Sequence, residues 1–377
     1  MLPLLVIGNP QNRRVQAFLS ALASRGRPPA RVFAWESLLT AAGLRQLSDL
    51  PDVPMLVRLD SFGENFAVDR LLYARGYAAA TAEGVSTIEP ERALGLVEDR
   101  GLFLCPRQHH LGFLSVLDDL EAVFAAHPRW RILNPPSAIR QLFDKRLTSR
   151  LYHRLGVPVP PVIDGVDNYD ALRARLDERD CHAAYVKLAS GSSASGLGLY
   201  QRRGDSESLL TSLELTRTGW YNNLKVRRYT DAARITAIVN ALCREGAQVE
   251  ESVDKARLDG RVFDCRVLVV AGEPAFIVVR TSSLPITNLH LGGTRGDLTA
   301  LRAACPPEAW EAAMASCRTV HAAHGALHVG IDLLFEPRYV GHRVIEANAF
   351  GDLLPGLTHQ GLSVYEWEIE ASEAWSE

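Results

Sequence analysis

Residues 328–352 have the sequence HVGIDLLFEPRYVGHRVIEANAFGD, and this stretch decides the fold class. Its two apolar runs, 329–335 and 343–347, predict short strands, and the Glu-Pro-Arg sequence between them predicts a turn. Side chains alternate between the two faces of a strand. Glu346 and Asn348 therefore project to the same side of the second strand.

Asp332 lies on the first of these strands, so strand pairing would bring three oxygen-bearing side chains into one small volume. Two carboxylates held that close repel each other unless a cation or protons intervene. Hard oxygen ligands suit Mg²⁺, which takes few protein ligands and completes its shell with water and phosphate oxygens. The alternative is a solvated hairpin whose polar face carries these residues without a metal. The three residues alone leave both interpretations open.

Composition limits the class of protein. The chain has 377 residues, enough for two or three domains, with 47% hydrophobic and 23% charged residues. Its net charge of −3 gives no sign of a nucleic-acid-binding surface. No apolar run approaches the length that spans a membrane, and the six cysteines are scattered as in proteins with reduced thiols. We therefore expect a cytoplasmic protein with neither a nucleic-acid nor a membrane partner.

The first 133 residues alternate predicted strands with predicted helices. Strands are predicted at 2–7, 30–35, 55–59 and 129–133, and helices at 66–74 and 109–125 and in a segment that ends at Gly26. This alternation favours a parallel sheet covered by helices. Residues 60–63, Asp-Ser-Phe-Gly, follow a strand, where open α/β sheets tend to bind ligands. A helix-capping turn is the alternative.

The second informative stretch is YVKLASGSSASGLGLY, residues 185–200. Lys187 lies late in a predicted strand, and a loop rich in glycine and serine follows it. Glycines let backbone N–H groups approach a phosphate closely, and the lysine supplies a positive charge. The lysine precedes the glycines, so this is not a Walker A sequence. A flexible hairpin loop is the alternative. The loop residues concerned are Gly191, Ser192, Ser193, Gly196 and Gly198.

The third stretch is VFDCRVLVV, residues 262–270, a predicted strand on which Asp264 and Arg266 share one face. Arg280 ends the next predicted strand, and a polar loop that contains Asn288 follows. Arginines on adjacent strands could hold a phosphate or a carboxylate bidentately. The alternative is that Asp264 and Arg266 form a surface ion pair of little energetic consequence.

The order of these features resembles the ATP-grasp superfamily, especially its ribosomal-protein glutamate-ligase-like branch. The series begins with Lys145, on a helix predicted at 137–155, and with the proline-rich connection 157–161. It continues in chain order through the stretches 185–200, 262–270 and 328–352, and the resemblance covers residues 134–356. The resemblance implies an N-terminal parallel-sheet α/β domain (1–133) followed by a two-lobed ATP-grasp fold. Its central lobe would span 134–210, and its C-terminal lobe, with the metal site, 211–377.

The resemblance also implies roles for individual residues. Lys145 and Lys187 would contact ATP phosphates, and the loop 191–198 would close over them as a lid. The other implied roles are adenine and ribose contacts for Glu250, Glu251 and Val253, a Mg²⁺ (or Mn²⁺) site at Asp332, Glu346 and Asn348, and catalytic contacts to the transferred phosphoryl group for Arg266, Arg280 and Asn288.

The activity implied is ATP-dependent ligation of a carboxylate to an amine through an acyl phosphate, with release of ADP and phosphate. The substrates would be small molecules or peptides, and a homodimer is left open. Two alternatives keep the fold: a kinase that phosphorylates a hydroxyl, and a nucleotide-binding subunit without turnover. A zinc cluster of His321, His324 and His328 is disfavoured, because these residues straddle a helix end and no cysteine joins them.

Overall fold

The computed structural model of the chain describes residues 2–191, 196–217, 219–351 and 354–375. Ser192 and Ser193, which were predicted to belong to the phosphate-binding loop, lie outside the described residues, as does Asp352. Among the described helices, none is both long and apolar enough to cross a membrane.

The N-terminal part is a parallel sheet with helices between its strands. Its elements are β1 (Leu4–Gly8), α1 (Arg13–Ser24), β2 (Arg31–Ala34), α2 (Trp35–Leu38), α3 (Ala41–Ser48), β3 (Met55–Leu59), α4 (Phe66–Glu83), α5 (Pro90–Leu94), α6 (Pro106–Ala125) and β4 (Trp130–Ile132). The sheet order is β2-β1-β3-β4, and every pair is parallel. The predicted parallel α/β architecture is confirmed.

A five-stranded antiparallel sheet forms the middle of the molecule. The elements of this part are α7 (Pro136–Leu142), α8 (Lys145–Arg154), α9 (Tyr169–Glu178), β5 (Ala183–Leu188), β6 (Leu197–Arg203), β7 (Ser206–Leu215), β8 (Trp220–Tyr229), α10 (Ala232–Arg244) and β9 (Ala247–Glu251). The strand order is β8-β7-β6-β5-β9. Lys187 on β5 and Glu250 on β9 therefore belong to neighbouring strands.

The C-terminal part contains a second antiparallel sheet, with the order β13-β12-β11-β14-β15 and β10 paired to β11. Its elements are β10 (Arg257–Leu258), β11 (Arg261–Val270), β12 (Glu273–Ser282), β13 (Thr294–Arg295), α11 (Leu298–Ala304), α12 (Pro307–Ala322), β14 (His328–Phe335), β15 (His342–Asn348) and α13 (Val364–Ala374). Short 3₁₀ turns at Leu289–Leu291 and Pro337–Tyr339 complete it.

Two of the hydrophobic cores show how these parts pack together. Val57 of β3 and Ile331 of β14 are fully buried in one core, which joins the N-terminal sheet to the C-terminal sheet. The central sheet has its own core, which includes Val186 and Ile238. The predicted boundary between residues 210 and 211 falls inside β7, whereas the central sheet continues to Glu251. The three-part division stays a prediction, and the continuity of this sheet favours a boundary after β9.

Helix α4 continues to Glu83, so the prediction that it ends near Gly76 is wrong. Gly76 lies where α4 crosses α6, and a Cβ added there would lie 1.9 Å from the carbonyl oxygen of Gln108. Gly112 of α6 makes the reciprocal approach to the carbonyl oxygen of Leu72. These two glycines allow close packing of two backbones, and the helix C-cap is Gly84, with φ of 71°.

The helix predicted at 137–155 is two helices, because the Asp144 side chain caps a new one. Its carboxylate accepts hydrogen bonds from the backbone N–H groups of Arg146 (2.9 Å) and Leu147 (3.4 Å). This cap makes Lys145 the first residue of α8. Strands β6 to β8 were not predicted. The side chains of β8 are half-buried or exposed along its whole length, so its sequence carries no clear alternation.

Gly76→Ala should destabilise the protein by about 3 kcal/mol or more, because the added methyl group overlaps the backbone of α6. Gly95→Ala is the matched control, since its Cβ would meet nothing closer than 3.5 Å. Urea denaturation followed by circular dichroism measures both free energies of unfolding. Equal stabilities of the two variants would contradict the close helix crossing.

Candidate active site

The strands β14 and β15 pair as predicted and bring the three oxygen-bearing residues to one face. Asp332 lies directly opposite Glu346, and Asn348 lies opposite Gly330. The Asn348 amide donates to the carbonyl oxygen of Gly330 at 3.3 Å, which leaves its side-chain oxygen as the group that a cation can use. All three side chains line the same cleft.

A row of alternating charges crosses the sheet behind this hairpin. Asp332 accepts two hydrogen bonds from Arg266, at 2.5 and 3.3 Å, and lies 3.1 Å from Nη2 of Arg280. Arg280 in turn donates from Nε to Asp264 at 2.7 Å. Lys255 Nζ lies 3.8 Å from Asp264. Asp264 therefore pairs with Arg280 of the next strand and is buried, so it does not form a surface pair with Arg266.

Burial and neighbouring charges shift the pKa values of Asp332 and Lys255. Burial alone would raise the pKa of Asp332, but the guanidinium groups of Arg266 and Arg280 outweigh it and the pKa lies below its ordinary value. Burial lowers the pKa of Lys255, although Asp264 partly offsets this effect. Asp332 is therefore ionised at neutral pH and holds both arginines in place.

Lys145 links the start of the glycine-rich loop after β5 to the hairpin. Its Nζ lies 3.3 Å from Oε1 of Glu346 and donates to the carbonyl oxygen of Gly191. Its backbone N–H donates to the carbonyl oxygen of Ala189 at 2.9 Å. The first residue of α8 therefore contacts both the loop after β5 and the strand that carries Glu346 and Asn348.

Lys187 and Glu250 form a buried ion pair between β5 and β9, and Gln248 also donates to Glu250 at 3.2 Å. Glu251, on the opposite face of β9, is 3.4 Å from Arg179. The structure thus distinguishes the two glutamates, which the sequence did not. Glu250 pairs with Lys187, which lines the cleft, whereas Glu251 pairs with Arg179, which does not line it.

These groups surround a cleft of about 930 Å³ between the central and C-terminal sheets. Most of the predicted residues line this cleft: Lys145, Lys187, Gly191, Gly196, Glu250, Glu251, Val253, Arg266, Arg280, Asn288, Asp332, Glu346 and Asn348. Gly198 is not in its lining, since it lies within β6 and packs against Leu209. Pro160, Tyr185 and Leu334 add apolar surface.

Several solved structures of ATP-grasp ligases share this architecture over their whole length. PsnB complexed with a phosphomimetic variant of its minimal precursor, Mg and ADP matches with a TM-score of 0.54 and 14% identity, covering 100% of this chain and 99% of that chain. D-cycloserine synthetase DcsG matches with 0.56 and 16%, covering 98% and 99%. D-alanine–D-alanine ligase from Bacillus anthracis matches with 0.51 and 11%, covering 99% and 93%.

This chain has the ATP-grasp fold. The predicted fold class is thereby confirmed. These ligases do not single out the ribosomal-protein glutamate-ligase-like branch, which stays a prediction. No model of a protein family matches the sequence, and no curated protein matches it either.

The hairpin residues fit a Mg²⁺ ion by their chemistry. Two carboxylates and one amide oxygen face the cleft, and such hard donors leave the remaining positions to phosphate oxygens and water. In the described residues, no three histidines, cysteines or carboxylates form a closed metal site. Asp332 would share its oxygens between the cation and the two arginines that already hold it.

In the part of the chain that the structure describes, His321, His324 and His328 do not form a metal-binding cluster. His321 contacts the carbonyl oxygen of Leu327 at 3.1 Å, and His324 contacts the hydroxyl group of Tyr152 at 2.8 Å. Burial lowers the pKa of His324 to about 4 and lowers that of His328 well below its ordinary value. All three are buried, and the last two are neutral at physiological pH.

The sequence did not single out Lys255 or Thr287, and it left the role of Asp264 open. Lys255 donates to the hydroxyl group of Thr287 at 2.9 Å, and that hydroxyl donates to Asp264. A lysine a few residues after Glu250-Glu251 carries no local signal of burial, because its partners lie on distant strands. The row of charges therefore extends beyond the predicted site.

Asn288 sits at the cleft edge and caps the 3₁₀ turn Leu289–Leu291, with its side-chain oxygen accepting from His290 N at 2.8 Å. The loop around it is held by Ile286 and Leu291, which pack against Leu199 and Leu210 of the central sheet. Asn288 thus offers its amide NH₂ to a ligand, and its position depends on contact between the two sheets.

A second cleft of about 1360 Å³ adjoins the first and shares Lys145, Arg266 and Arg280 with it. Ser61 and Phe62 line this second cleft. The helix that follows is capped instead by Asn65, which accepts from the backbone N–H of Ala67 at 3.1 Å. This placement favours the ligand-binding interpretation of residues 60–63 over the helix-capping one.

Asp264→Asn should destabilise the fold by about 3–5 kcal/mol, because it leaves Arg280 and Lys255 buried with one anion fewer. Asp259→Asn is the control: Asp259 is an exposed turn residue with φ of 51°, a conformation that asparagine also adopts. Its change should stay below about 0.5 kcal/mol. Guanidinium denaturation of both variants measures the difference, and similar losses would show that Asp264 does not anchor the row.

Proposed function

We propose that this protein is an ATP-dependent ligase that joins a carboxylate to an amine through an acyl phosphate. The observation that carries the proposal is the convergence of two lysines, two arginines and three oxygen donors on one cleft. Phosphoryl transfer needs positioning and charge neutralisation more than covalent help from the protein, and these side chains supply both. We further propose that the chain belongs to the ribosomal-protein glutamate-ligase-like branch.

In this proposal, ATP occupies the first cleft. Lys145 and Lys187 contact its phosphates, and the apolar surface of Val253, Pro285 and Leu334 receives adenine. Asp332, Glu346 and Asn348 would hold Mg²⁺, which lowers the negative charge of the phosphates when bound. Structures of PsnB complexed with Mg and ADP support this choice of nucleotide and metal.

The reaction would proceed in two displacements. A carboxylate oxygen of the acid attacks the γ-phosphorus of ATP, the bond to the β,γ-bridging oxygen breaks, and ADP leaves. The neutral amine then attacks the carbonyl carbon of the acyl phosphate, the bond from that carbon to the phosphate oxygen breaks, and the proton shed by the nitrogen leaves with inorganic phosphate as the amide forms. Arg280 and Arg266 lie where both clefts meet, so their guanidinium groups can neutralise charge on the transferred phosphoryl group.

The acid and the amine could each be a small molecule or part of a peptide. PsnB has been captured with precursor peptides and MdnC with the precursor peptide MdnA, which supports a peptide. D-cycloserine synthetase and D-alanine–D-alanine ligase support small substrates equally well. The proposal therefore stays at the level of an acid and an amine.

Trapping with hydroxylamine tests the proposed reaction. The protein is incubated with ATP, Mg²⁺, a panel of carboxylic acids and hydroxylamine, which converts an acyl phosphate into a stable hydroxamate. A ligase gives hydroxamate, ADP and free phosphate in equal amounts, and EDTA abolishes all three. Phosphate retained on a hydroxyl group would indicate a kinase instead, and ATP binding with no turnover for any acid or alcohol would indicate a binding subunit.

Glu346→Gln should keep the fold and reduce hydroxamate formation about a hundredfold, because an isosteric amide is a weaker ligand for a hard cation. Glu336→Gln is the matched control on the same hairpin: Glu336 pairs with Arg343 at 2.8 Å and lies outside the cleft lining. Turnover and melting temperature are measured for both. Wild-type turnover in Glu346→Gln would show that the metal site has been assigned wrongly.

Arg280→Lys and Asn288→Ser should bind ATP nearly normally but turn over at least about tenfold more slowly. Lysine at position 280 keeps a positive charge but lacks the guanidinium group, whose separate N–H groups reach Asp264 and Asp332. Serine at position 288 can still cap the 3₁₀ turn but has no amide donor. Calorimetry gives nucleotide affinity, and steady-state kinetics gives kcat. Loss of ATP affinity with unchanged kcat would place both residues in the nucleotide site.

A further inference from the structure

Three phenylalanine rings from distant parts of the chain line the second cleft, and we call them the aromatic wall: Phe62, Phe143 and Phe350. Phe62 follows β3, Phe143 lies between α7 and α8, and Phe350 follows β15. Their ring centroids are 5.7 to 6.5 Å apart and meet at tilted or edge-on angles. Such spacing is typical of interacting aromatic side chains.

Hydrogen bonds hold the backbone at each of these three phenylalanines. The buried Asn9 amide donates to the carbonyl oxygens of Phe62 (2.8 Å) and Gly63 (3.0 Å). Arg14 donates from Nη1 to the carbonyl oxygen of Phe350 at 2.8 Å. Phe143 is held by a backbone bond to Ile139 at 3.0 Å. These bonds fix the backbone positions from which the three rings project.

The wall is more than packing between two domains. Phe62 does pack on the core residue Phe113, with ring centroids 4.1 Å apart. Phe62 and Phe143 nevertheless remain half-buried and line the second cleft as well as a neighbouring one. Phe350 is buried, so Phe62 and Phe143 supply most of the ring surface that a ligand can reach.

The chemistry of the cleft changes along its length. At the end shared with the nucleotide cleft lie Lys145, Arg266 and Arg280, which suit a carboxylate. The aromatic wall lines the same cleft, together with Asn12, Arg14, Glu64 and His290, and its rings suit an apolar ring. One molecule that satisfies both regions carries a carboxylate on a flat apolar body.

We propose that the acid substrate of this enzyme is an aromatic carboxylic acid, bound with its ring against Phe62, Phe143 and Phe350 and its carboxylate toward Arg266 and Arg280. This inference rests on the ligase activity proposed above. It names the class of acid and assigns the aromatic wall to its recognition, with ring faces and edges providing selectivity over an aliphatic chain of similar size.

The test compares matched acids in the hydroxamate assay. 3-Phenylpropionate is set against hexanoate, N-acetylphenylalanine against N-acetylleucine, and glutarate represents a charged acid. In each matched pair, the aromatic acid should have a kcat/KM about tenfold higher or more. Glutarate should be a weaker substrate than 3-phenylpropionate, because it has no ring to pack against the phenylalanines.

Variants connect this preference to the wall. Phe62→Leu and Phe350→Leu keep apolar volume but remove a ring, so they should reduce the preference for aromatic acids about threefold to tenfold while ATP affinity is unchanged. Phe66→Leu is the control, because Phe66 lines neighbouring clefts but not this one. It should keep the wild-type preference.

The outcomes separate the two proposals. Hydroxamate from hexanoate or glutarate, without a preference for the aromatic partners, would overturn the aromatic-acid inference while the ligase stands. An aromatic preference that survives both wall substitutions would overturn the assignment of the wall. No hydroxamate and no ADP from any acid would overturn the ligase itself, and the inference with it.

Discussion

The site depends on a single electrostatic constraint: charged groups buried in a β-sheet must alternate in sign. The row begins at Lys255, which precedes β10, and continues on β11, β12 and β14 through Asp264, Arg280, Asp332 and Arg266. Each charged group lies within 4 Å of the next. An isolated charge in such a place would cost several kcal/mol, whereas alternation lets each group partly compensate the next. Each of these side chains is therefore oriented by its neighbours, before a ligand enters.

The cleft lies between two parts of the molecule that have separate hydrophobic cores. The C-terminal sheet shares a hydrophobic core with the N-terminal sheet, so the row and the aromatic wall stand on one packed body. The central sheet has its own core, and one of its contacts with that body is the small cluster of Leu199, Leu210, Ile286 and Leu291. Asn288 lies in the loop that carries Ile286 and Leu291, so its position depends on this contact.

Local sequence patterns were informative wherever function follows from strand periodicity. The hairpin of β14 and β15, with Glu346 and Asn348 on one face, was predicted from alternation alone, and Met55–Leu59 was predicted to the residue. The pattern failed where tertiary packing overrides a local signal. Gly76 has the local signature of a helix end, yet the residue serves a backbone crossing with α6, whose sequence lies about thirty residues farther on.

The sequence by itself determined the alternation of strands and helices in the N-terminal part, the residues that share a strand face, and the chemical types available for phosphate and metal. These are local properties, because side-chain direction repeats every two residues in a strand. Only the tertiary structure decided that Asp264 pairs with Arg280 rather than Arg266, that Lys255 joins the row, and that Phe62, Phe143 and Phe350 meet. Those contacts depend on the register and packing of segments far apart in the chain, which no local periodicity encodes.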